Sequence, residues 1–250
     1  MHPWVYFLDW LNLLLRWAHV VAGIAWIGGS FYFIWLTGRL APPQPARTLH
    51  LFKWEAYWTW ITGFALLVAM YYANAEPYLI DAAVMPLSKS AAIGIGIGSL
   101  IVTLAVYEAI CRSPLGRNEV LLGICLFACA ALCAWGLAQI FSGRGAYIHY
   151  GAILGTLMVG NVAHVIIPGQ RRMAAAIAQG REPDARDARM GGQRNLHNSY
   201  FALPVVFVMI SSHHAIAFGP RWDWLVLAGM TLAGVLIRFG FGRWYRGGTK

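Results

Sequence analysis

The chain has 250 residues, of which 59% are hydrophobic and only 12% are charged. A water-soluble domain carries about twice that charged share, so this composition argues against a soluble globular enzyme. The net charge of +9 comes from basic residues grouped in short stretches between apolar segments, which is typical of membrane topology and not of a nucleic-acid-binding surface.

Seven apolar segments follow one another along the chain, each close to the roughly 20 residues that a bilayer requires. They predict an all-α, polytopic transmembrane helix bundle that forms a single membrane domain over residues 1–250. The predicted helices cover residues 16–37, 54–73, 90–110, 119–141, 146–167, 197–216 and 222–242. Pro168 and Gly169 predict a helix stop, so residues 168–196 are expected to form a cytoplasmic loop.

The lysines and arginines around these segments predict the orientation of the chain. One side carries fourteen of them: Arg39, Arg47, Lys53, Arg112, Arg117, Arg171, Arg172, Arg181, Arg186, Arg189, Arg194, Arg243, Arg246 and Lys250. The opposite side carries four: Arg16, Lys89, Arg144 and Arg221. Because cytoplasmic loops are enriched in basic residues, the N-terminus is expected outside and the C-terminus inside.

Small and polar residues within the predicted helices indicate close helix packing. Gly94, Gly96 and Gly98 do not follow the GxGxxG spacing and no strand precedes them, so they favour close helix contact over a nucleotide loop. Asn161 and Asn198 are expected to form hydrogen bonds between neighbouring helices. The chain contains no CxxCH motif, and therefore no site for covalent attachment of a c-type haem.

Six histidines lie inside or at the edge of predicted helices, where ionisable side chains are costly and mark candidate functional sites. They are His19, His149, His164, His197, His213 and His214. The predicted topology puts His164 and His197 near the inner face and the other four near the outer face. The outer and inner levels each hold enough imidazoles for a pair of ligands.

The fifth predicted helix carries two of these histidines. His149 and His164 are 15 residues apart, about 22 Å of helical rise and about 60° of rotation, so they are expected on roughly the same face. If helix six is a neighbour, His213 and His197 complete an outer and an inner pair. Membrane cytochromes b hold haem between histidines in a similar two-level arrangement, and imidazole is a common axial ligand. The sequence therefore predicts haem b, as one group or two, and a zinc or copper site without haem is the alternative.

Arg16 lies three residues before His19 and therefore on the same face of the first helix. A guanidinium in this position would bind an anionic substrate or a haem propionate beside His19. The alternative is an interfacial arginine whose charged head reaches out of the bilayer.

Three stretches of the sequence are similar to one family. LLRWAHVVAGIAWIGGSFYFIWL, from Leu14 to Leu36, resembles the first helix of the membrane-bound urate hydroxylase family, the urate oxidase N-terminal domain. HYGAILGTLMVGN from His149 to Asn161, followed by VIIPGQRRM from Val165 to Met173, resembles a second part of that family. HNSYFALPVVFVMISSHH, from His197 to His214, resembles a third. The resemblance covers most of the chain.

The resemblance implies an integral membrane enzyme of purine degradation that oxidises urate to 5-hydroxyisourate and passes the electrons to cytochrome c. The histidines at matching positions are expected to supply the haem ligands, and they are His19, His149, His197 and His213. His214 and His164, where the family pattern has an aromatic residue, are the weaker candidates. Arg16 is the expected contact for a small anionic purine, the bacterial inner membrane is the expected location, and no nucleic-acid partner is expected.

Members of this family usually continue into one more helix and a C-terminal cytochrome c domain. The sequence to Lys250 contains neither. Three interpretations follow: a separate cytochrome c accepts the electrons, the sequence is part of a longer protein, or a short homologue has another task. The other functions that the sequence allows are a cytochrome b-type electron-transfer subunit, a haem-linked oxidase of porphyrin synthesis, and a transporter without haem.

Overall fold

The computed structural model describes residues 3–37, 46–219 and 222–247, and these residues form helices and connecting turns without a β-strand. This confirms the all-α fold. The α-helices are α1 (Pro3–Thr37), α2 (Ala46–Leu66), α3 (Ala75–Tyr78), α4 (Lys89–Arg112), α5 (Glu119–Ala138), α6 (Gly143–Asn161), α7 (Ile167–Ala178), α8 (Ala185–Ser211), α9 (Ala215–Phe218) and α10 (Asp223–Gly247). Two π-helical segments, Leu67–Tyr72 and Val162–Ile166, follow α2 and α6, and a 3₁₀ turn spans Pro114–Arg117.

Five described helical stretches are long and apolar enough to cross a membrane, so the chain has the character of a membrane protein. They are Phe7–Phe31, Lys89–Arg112, Glu119–Ala138, Gly143–Ala178 and Asp223–Phe241. The other two predicted segments, 54–73 and 197–216, coincide with α2 plus its π-helical continuation and with α8. All seven predicted segments are therefore largely helical, although residues 212–214 of the sixth lie outside a helix, while the number that cross the bilayer and the orientation stay predictions.

Capping side chains explain where α4 and α5 begin. The Ser88 hydroxyl accepts a hydrogen bond from the Ala91 N–H, and α4 begins at Lys89. The Asn118 side chain accepts from the N–H groups of Val120 and Leu121, and α5 begins at the next residue. Such caps satisfy N–H groups that have no partner within the helix.

The first two helices begin earlier than the sequence predicted. The stretch before residue 16 is rich in leucine and tryptophan and continues α1 back to Pro3, while α2 starts at Ala46 and not at 54. Most of α1 is exposed, with Ile24 69% and Trp17 65% accessible. Surfaces this apolar are costly in water but suit the hydrocarbon of a bilayer. Arg39, Arg221 and Lys250 of the orientation argument lie outside the described residues.

The cytoplasmic loop predicted for residues 168–196 is wrong as a structural assignment, because only residues 179–184 lie between α7 and α8. Pro168 does not stop the helix because the wide π-helical turn before it changes the backbone register, and proline fits the first turn of α7 without an N–H donor. The turn between the helices contains Gly180 at φ 66°, a left-handed conformation that glycine adopts without strain.

By its internal contacts the chain divides into two compact units. The first unit comprises Met1–Leu66 and Met158–Ser199, and in it α1 packs along α2. The second unit comprises Leu67–Leu157 and Tyr200–Lys250, and in it α5 packs against α10. The second unit also joins α6 to α10, because the Tyr150 hydroxyl and the Thr231 hydroxyl lie 2.9 Å apart in its buried interior.

Candidate functional site

His149 lies in the interior of the second unit and has no exposed surface. It belongs to α6, and its ring stacks on Phe141 with centroids 4.7 Å apart and an interplanar angle of 19°. Phe141 comes from the short turn that precedes α6. An imidazole placed in this way is enclosed by protein and held by aromatic packing.

The hydrogen bonds of His149 fix the tautomer of its neutral ring. Its Nδ1 lies 2.9 Å from the carbonyl oxygen of Gly145, which can only accept, so Nδ1 carries the proton. The other nitrogen, Nε2, therefore presents a lone pair and accepts a hydrogen bond from the Tyr72 hydroxyl at 3.1 Å. A backbone-anchored Nδ1–H with a basic Nε2 is the state in which histidine binds a metal.

A glycine makes room for this arrangement. A Cβ atom built on Gly96 would lie 2.5 Å from Nε2 of His149 and 2.8 Å from the Tyr72 hydroxyl, closer than side chains tolerate. The predicted close packing is thus confirmed at Gly96, whereas the space around Gly94 and Gly98 is open among the described residues. Tyr72 ends the π-helical segment Leu67–Tyr72, whose extra residue per turn sets where the phenol points.

His19 is held in a comparable way within the first unit. Its Nδ1 lies 3.0 Å from the carbonyl oxygen of Thr59 and 3.2 Å from the Thr62 hydroxyl on α2. The carbonyl requires the proton on Nδ1, which leaves the lone pair on Nε2, and no described residue forms a hydrogen bond with that nitrogen. A Cβ atom on Gly63 would lie 2.8 Å from Cε1 of His19, so this ring also lies against a glycine.

Arg16 lies one turn before His19 and is partly buried. Its Nε donates a 2.8 Å hydrogen bond to the side-chain oxygen of Asn12, which fixes part of the guanidinium along α1. The structure therefore gives Arg16 a defined anchor, and its role as a substrate contact stays a prediction.

The remaining candidate histidines differ in burial. His197 is partly buried in α8, whereas His164, His213 and His214 are exposed. Whether His149 and His164 share a face of the helical stretch that carries both stays a prediction, although the two rings differ in environment. One of the two rings is fully buried and the other is exposed.

The sequence predicted His213 and His214 inside the sixth helix. The structure places both beyond the end of α8. The hydroxyls of Ser211 and Ser212 donate to the carbonyls of Val208 and Met209, three residues earlier. Such local bonds compete with the helical pattern, and α8 ends at Ser211. The ligand roles proposed for these two histidines stay predictions.

Polar groups also join the helices of the first unit. The Asn161 amide donates to the side-chain oxygen of Asn198 at 2.8 Å, and the Asn198 amide donates to the Met158 carbonyl at 3.1 Å. This confirms the expected hydrogen bonding between helices. Arg194, assigned to a loop from the sequence, lies in α8 with only 1% of its surface exposed.

Haem binding can be tested against this donor chemistry. Axial ligation needs an imidazole nitrogen with a lone pair and an anchored ring, and both His19 and His149 provide these. At His149 an iron would take the place of the Tyr72 hydrogen bond. The described residues contain no group of three or more His, Cys, Asp or Glu side chains that could hold a metal ion on their own. The two imidazoles suit axial ligation as donors, but Nε2 of His149 lies against Tyr72 and Gly96, which a haem iron would displace, and haem itself stays a prediction.

Sequence reasoning identified the two anchored histidines but missed the residues that hold them. Tyr72, Thr59 and Gly63 carried no signal, because a π-helical turn and a contact between helices depend on packing. Gly96 did carry a signal, since the glycine-rich stretch of α4 indicated close packing of helices. The sequence did not show which residue lies against Gly96.

Comparison with known proteins bears on the whole chain. The family model described as urate oxidase N-terminal matches residues 5–47 and 38–250, so the matched segments together span nearly the full length. No curated protein and no solved structure matches. The family is the one that the motifs around His19, His149 and His197 indicated, and the chain belongs to the urate oxidase N-terminal family.

Proposed function

We propose that this protein is a membrane-bound, haem-containing urate oxidase that converts urate to 5-hydroxyisourate and delivers the electrons to a cytochrome c. The family match over nearly the whole chain carries the proposal. The apolar helices support a reaction performed at a membrane, for which we propose the bacterial inner membrane.

The cofactor proposal rests on the two anchored imidazoles. His19 and His149 each direct Nδ1–H to a backbone carbonyl, which leaves Nε2 as the basic nitrogen, and each is by itself a candidate axial ligand of haem b. Once bound, the haem would accept electrons one at a time and pass them to cytochrome c, which is a one-electron acceptor. His197 and His213 are the further candidates if a second haem is present.

Substrate binding requires a positive charge, because urate is an anion at neutral pH. Arg16 is a partly buried cation held by Asn12, and it lies on the α1 face that carries His19. A guanidinium pairs with planar anions through two parallel N–H donors, so Arg16 would orient the purine ring as well as attract it.

The overall reaction balances without peroxide. Urate and water give 5-hydroxyisourate, two protons and two electrons, and two molecules of ferric cytochrome c take up the two electrons. A histidine that does not bind iron would accept a proton. The protein's own contribution is to bind and orient urate and to hold an acceptor for that proton.

The test is a coupled assay with the detergent-purified chain, urate and ferric cytochrome c under nitrogen. We expect urate-dependent reduction of two cytochrome c molecules for each urate consumed, with no peroxide. Protein whose haem is reduced by dithionite but not by urate would contradict the proposal and indicate an electron-transfer subunit. Turnover of protoporphyrinogen in place of urate would indicate the porphyrin-synthesis oxidase.

A further inference from the structure

The second unit contains, at the start of α6, a cation to which the proposed reaction gives no role. Arg144 lies in the first turn of α6, and its guanidinium lies over the ring of Tyr78 at 5.2 Å from the centroid. Its Nε is buried and forms no hydrogen bond with the described residues. No ion pair joins Arg144 to a described carboxylate.

The backbone around this pair is firmly held. The Ser142 hydroxyl donates to the carbonyl of Tyr78 at 2.9 Å and accepts from the Gly145 N–H at 3.0 Å. The Ser142 N–H donates to the carbonyl of Leu79 at 3.0 Å. These bonds fix α3 against the start of α6, so the position of the aromatic ring beside the guanidinium is set before any ligand arrives.

The same turn of α6 also leads to the buried histidine. The carbonyl that holds His149 belongs to Gly145, the residue directly after Arg144. The five-residue step from Arg144 to His149 corresponds to about 7.5 Å of helical rise. An anion held by Arg144 would therefore lie close to the N-terminal end of α6, the helix that carries the candidate iron ligand.

The electrostatics favour an anion at this position. A partly buried guanidinium without a carboxylate partner is costly, and a bound anion removes much of that cost. The carboxylate of Asp223 is near, since a Cβ on Gly143 would lie 3.1 Å from its Oδ2, but Asp223 forms no ion pair with Arg144. The N-terminal end of α6 adds a favourable dipole.

We propose that Arg144 and Tyr78 form a binding site for a planar organic anion, and that this anion is the purine substrate. The proposal rests on the proposed function for the identity of the anion. The guanidinium supplies charge and paired N–H donors, and the Tyr78 ring, 37% exposed, supplies an aromatic surface next to it. Arg144 is thus the substrate-binding residue that we propose for the second unit.

The experiment measures anaerobic binding of radiolabelled urate to the purified full chain by equilibrium dialysis. We expect Arg144→Gln to weaken urate binding at least about tenfold, because a charge-assisted hydrogen-bond pair is lost. The urate affinity of Arg144→Lys should lie between that of the unmodified chain and that of Arg144→Gln. Lys89→Gln is the control, since it removes an equal charge from an exposed side chain that donates to the Ala73 carbonyl at 2.8 Å. It should bind urate as the unmodified chain does.

Two further variants protect the test against a folding defect. Tyr78→Leu removes the aromatic ring and should weaken urate binding, whereas Tyr78→Phe keeps the ring and should bind normally. Helical circular dichroism and elution volume identify any variant that fails to fold, and in that case the Tyr78 pair decides.

The outcomes separate this proposal from the proposed function. If urate reduces the unmodified protein but Arg144→Gln binds urate normally, only the Arg144 site is overturned. If that variant instead loses a co-purifying anionic phospholipid, measured by mass spectrometry of extracted lipid, with urate binding unchanged, the cation serves a lipid headgroup and the substrate assignment is overturned. If the unmodified protein neither binds urate nor is reduced by it, the proposed function fails, and the substrate assignment of Arg144 fails with it.

Discussion

Two histidines from different units of this protein are held by the same chemistry. Each directs Nδ1–H to a backbone carbonyl, that of Thr59 for His19 and that of Gly145 for His149. Each ring also lies against a glycine where a methyl group would collide. A carbonyl can only accept, so the tautomer is set by the backbone and Nε2 is left as the basic atom. This repeated arrangement is the residue-level basis of the haem proposal.

Replacing a buried ligand should remove haem, and replacing an exposed histidine should not. We expect His149→Ala to lose most of its Soret absorbance per polypeptide, because the enclosed Nε2 donor disappears. His164→Ala, which changes an exposed ring on the same continuous helical stretch, should keep the haem content of the unmodified protein. Pyridine haemochrome analysis measures both, and full haem content in His149→Ala would exclude His149 as a ligand.

Arg16 provides a second test at the level of one residue. Replacement by alanine should raise the KM for urate about tenfold or more, since a charge-assisted contact is lost, and should leave the haem spectrum unchanged. Asn12→Ala, which removes only the side chain that accepts from Nε of Arg16, should have a smaller effect. Steady-state assays with cytochrome c give the values, and an unaltered KM in Arg16→Ala would remove this residue from the substrate site.

At the scale of helices, the apolar segments were predictable because length and hydropathy are local properties of the sequence. The π-helical turns and the exact ends of the helices were not predictable. Pro168 predicts a helix stop, because the sequence does not show the π-helical turn before it that lets the helix continue. Ser211 and Ser212 end α8 through local hydrogen bonds. The partner of His149 is Tyr72, 77 positions away in sequence, and only packing of helices brings the two together.

The glycines of α4 give a matched pair of variants. Gly96→Ala should destabilise the protein by about 1–3 kcal/mol, because the new methyl group would overlap Nε2 of His149 and the Tyr72 hydroxyl. Gly98→Ala adds the same methyl group where nothing described lies within 4 Å, and should be neutral or stabilising by up to about 1 kcal/mol through helix propensity. Thermal unfolding in detergent compares them, and equal stability of the two variants would contradict the proposed contact.

An ion pair between α7 and α8 predicts that the stability of the fold depends on pH. Arg172 donates two hydrogen bonds to Asp187, at 2.9 and 2.6 Å, and these bonds lower the pKa of the carboxyl below its usual range. Because the folded state binds the proton less tightly than the unfolded state, the pair stabilises the fold above about pH 5 and loses this effect as the pH falls toward 3. The Arg172 side chain is 62% exposed while that of Asp187 is 13% exposed, so solvent screens the pair from the arginine side and the effect is small.

The measurement is the difference in apparent Tm between the unmodified chain and Asp187→Asn. We expect a positive difference at pH 7 that shrinks as the buffer is taken toward pH 3, because protonated Asp187 and asparagine are both uncharged. A difference that stays constant over this range would show that the ion pair does not stabilise the fold.

At the scale of the whole molecule, membership of the urate oxidase N-terminal family and five apolar helices of membrane length define the protein class. Composition alone indicated a membrane protein, because so few charges cannot cover an apolar core in water, whereas the family was indicated by the motifs around His19, His149 and His197. The residues of the candidate site could be predicted from the sequence only in part. Histidine depth indicated His19 and His149, whereas the cation–aromatic pair of Arg144 and Tyr78 depends on how α3 meets α6.

The central claim is that this membrane protein carries haem b and that urate reduces it. The most direct measurement is an optical spectrum of the detergent-purified, haem-replete chain, oxidised and then after anaerobic addition of urate. The account predicts a haem b Soret band and an α-band that rises when urate is added. A preparation without a Soret band would contradict the cofactor assignment, and a haem that only dithionite reduces would contradict urate as the substrate.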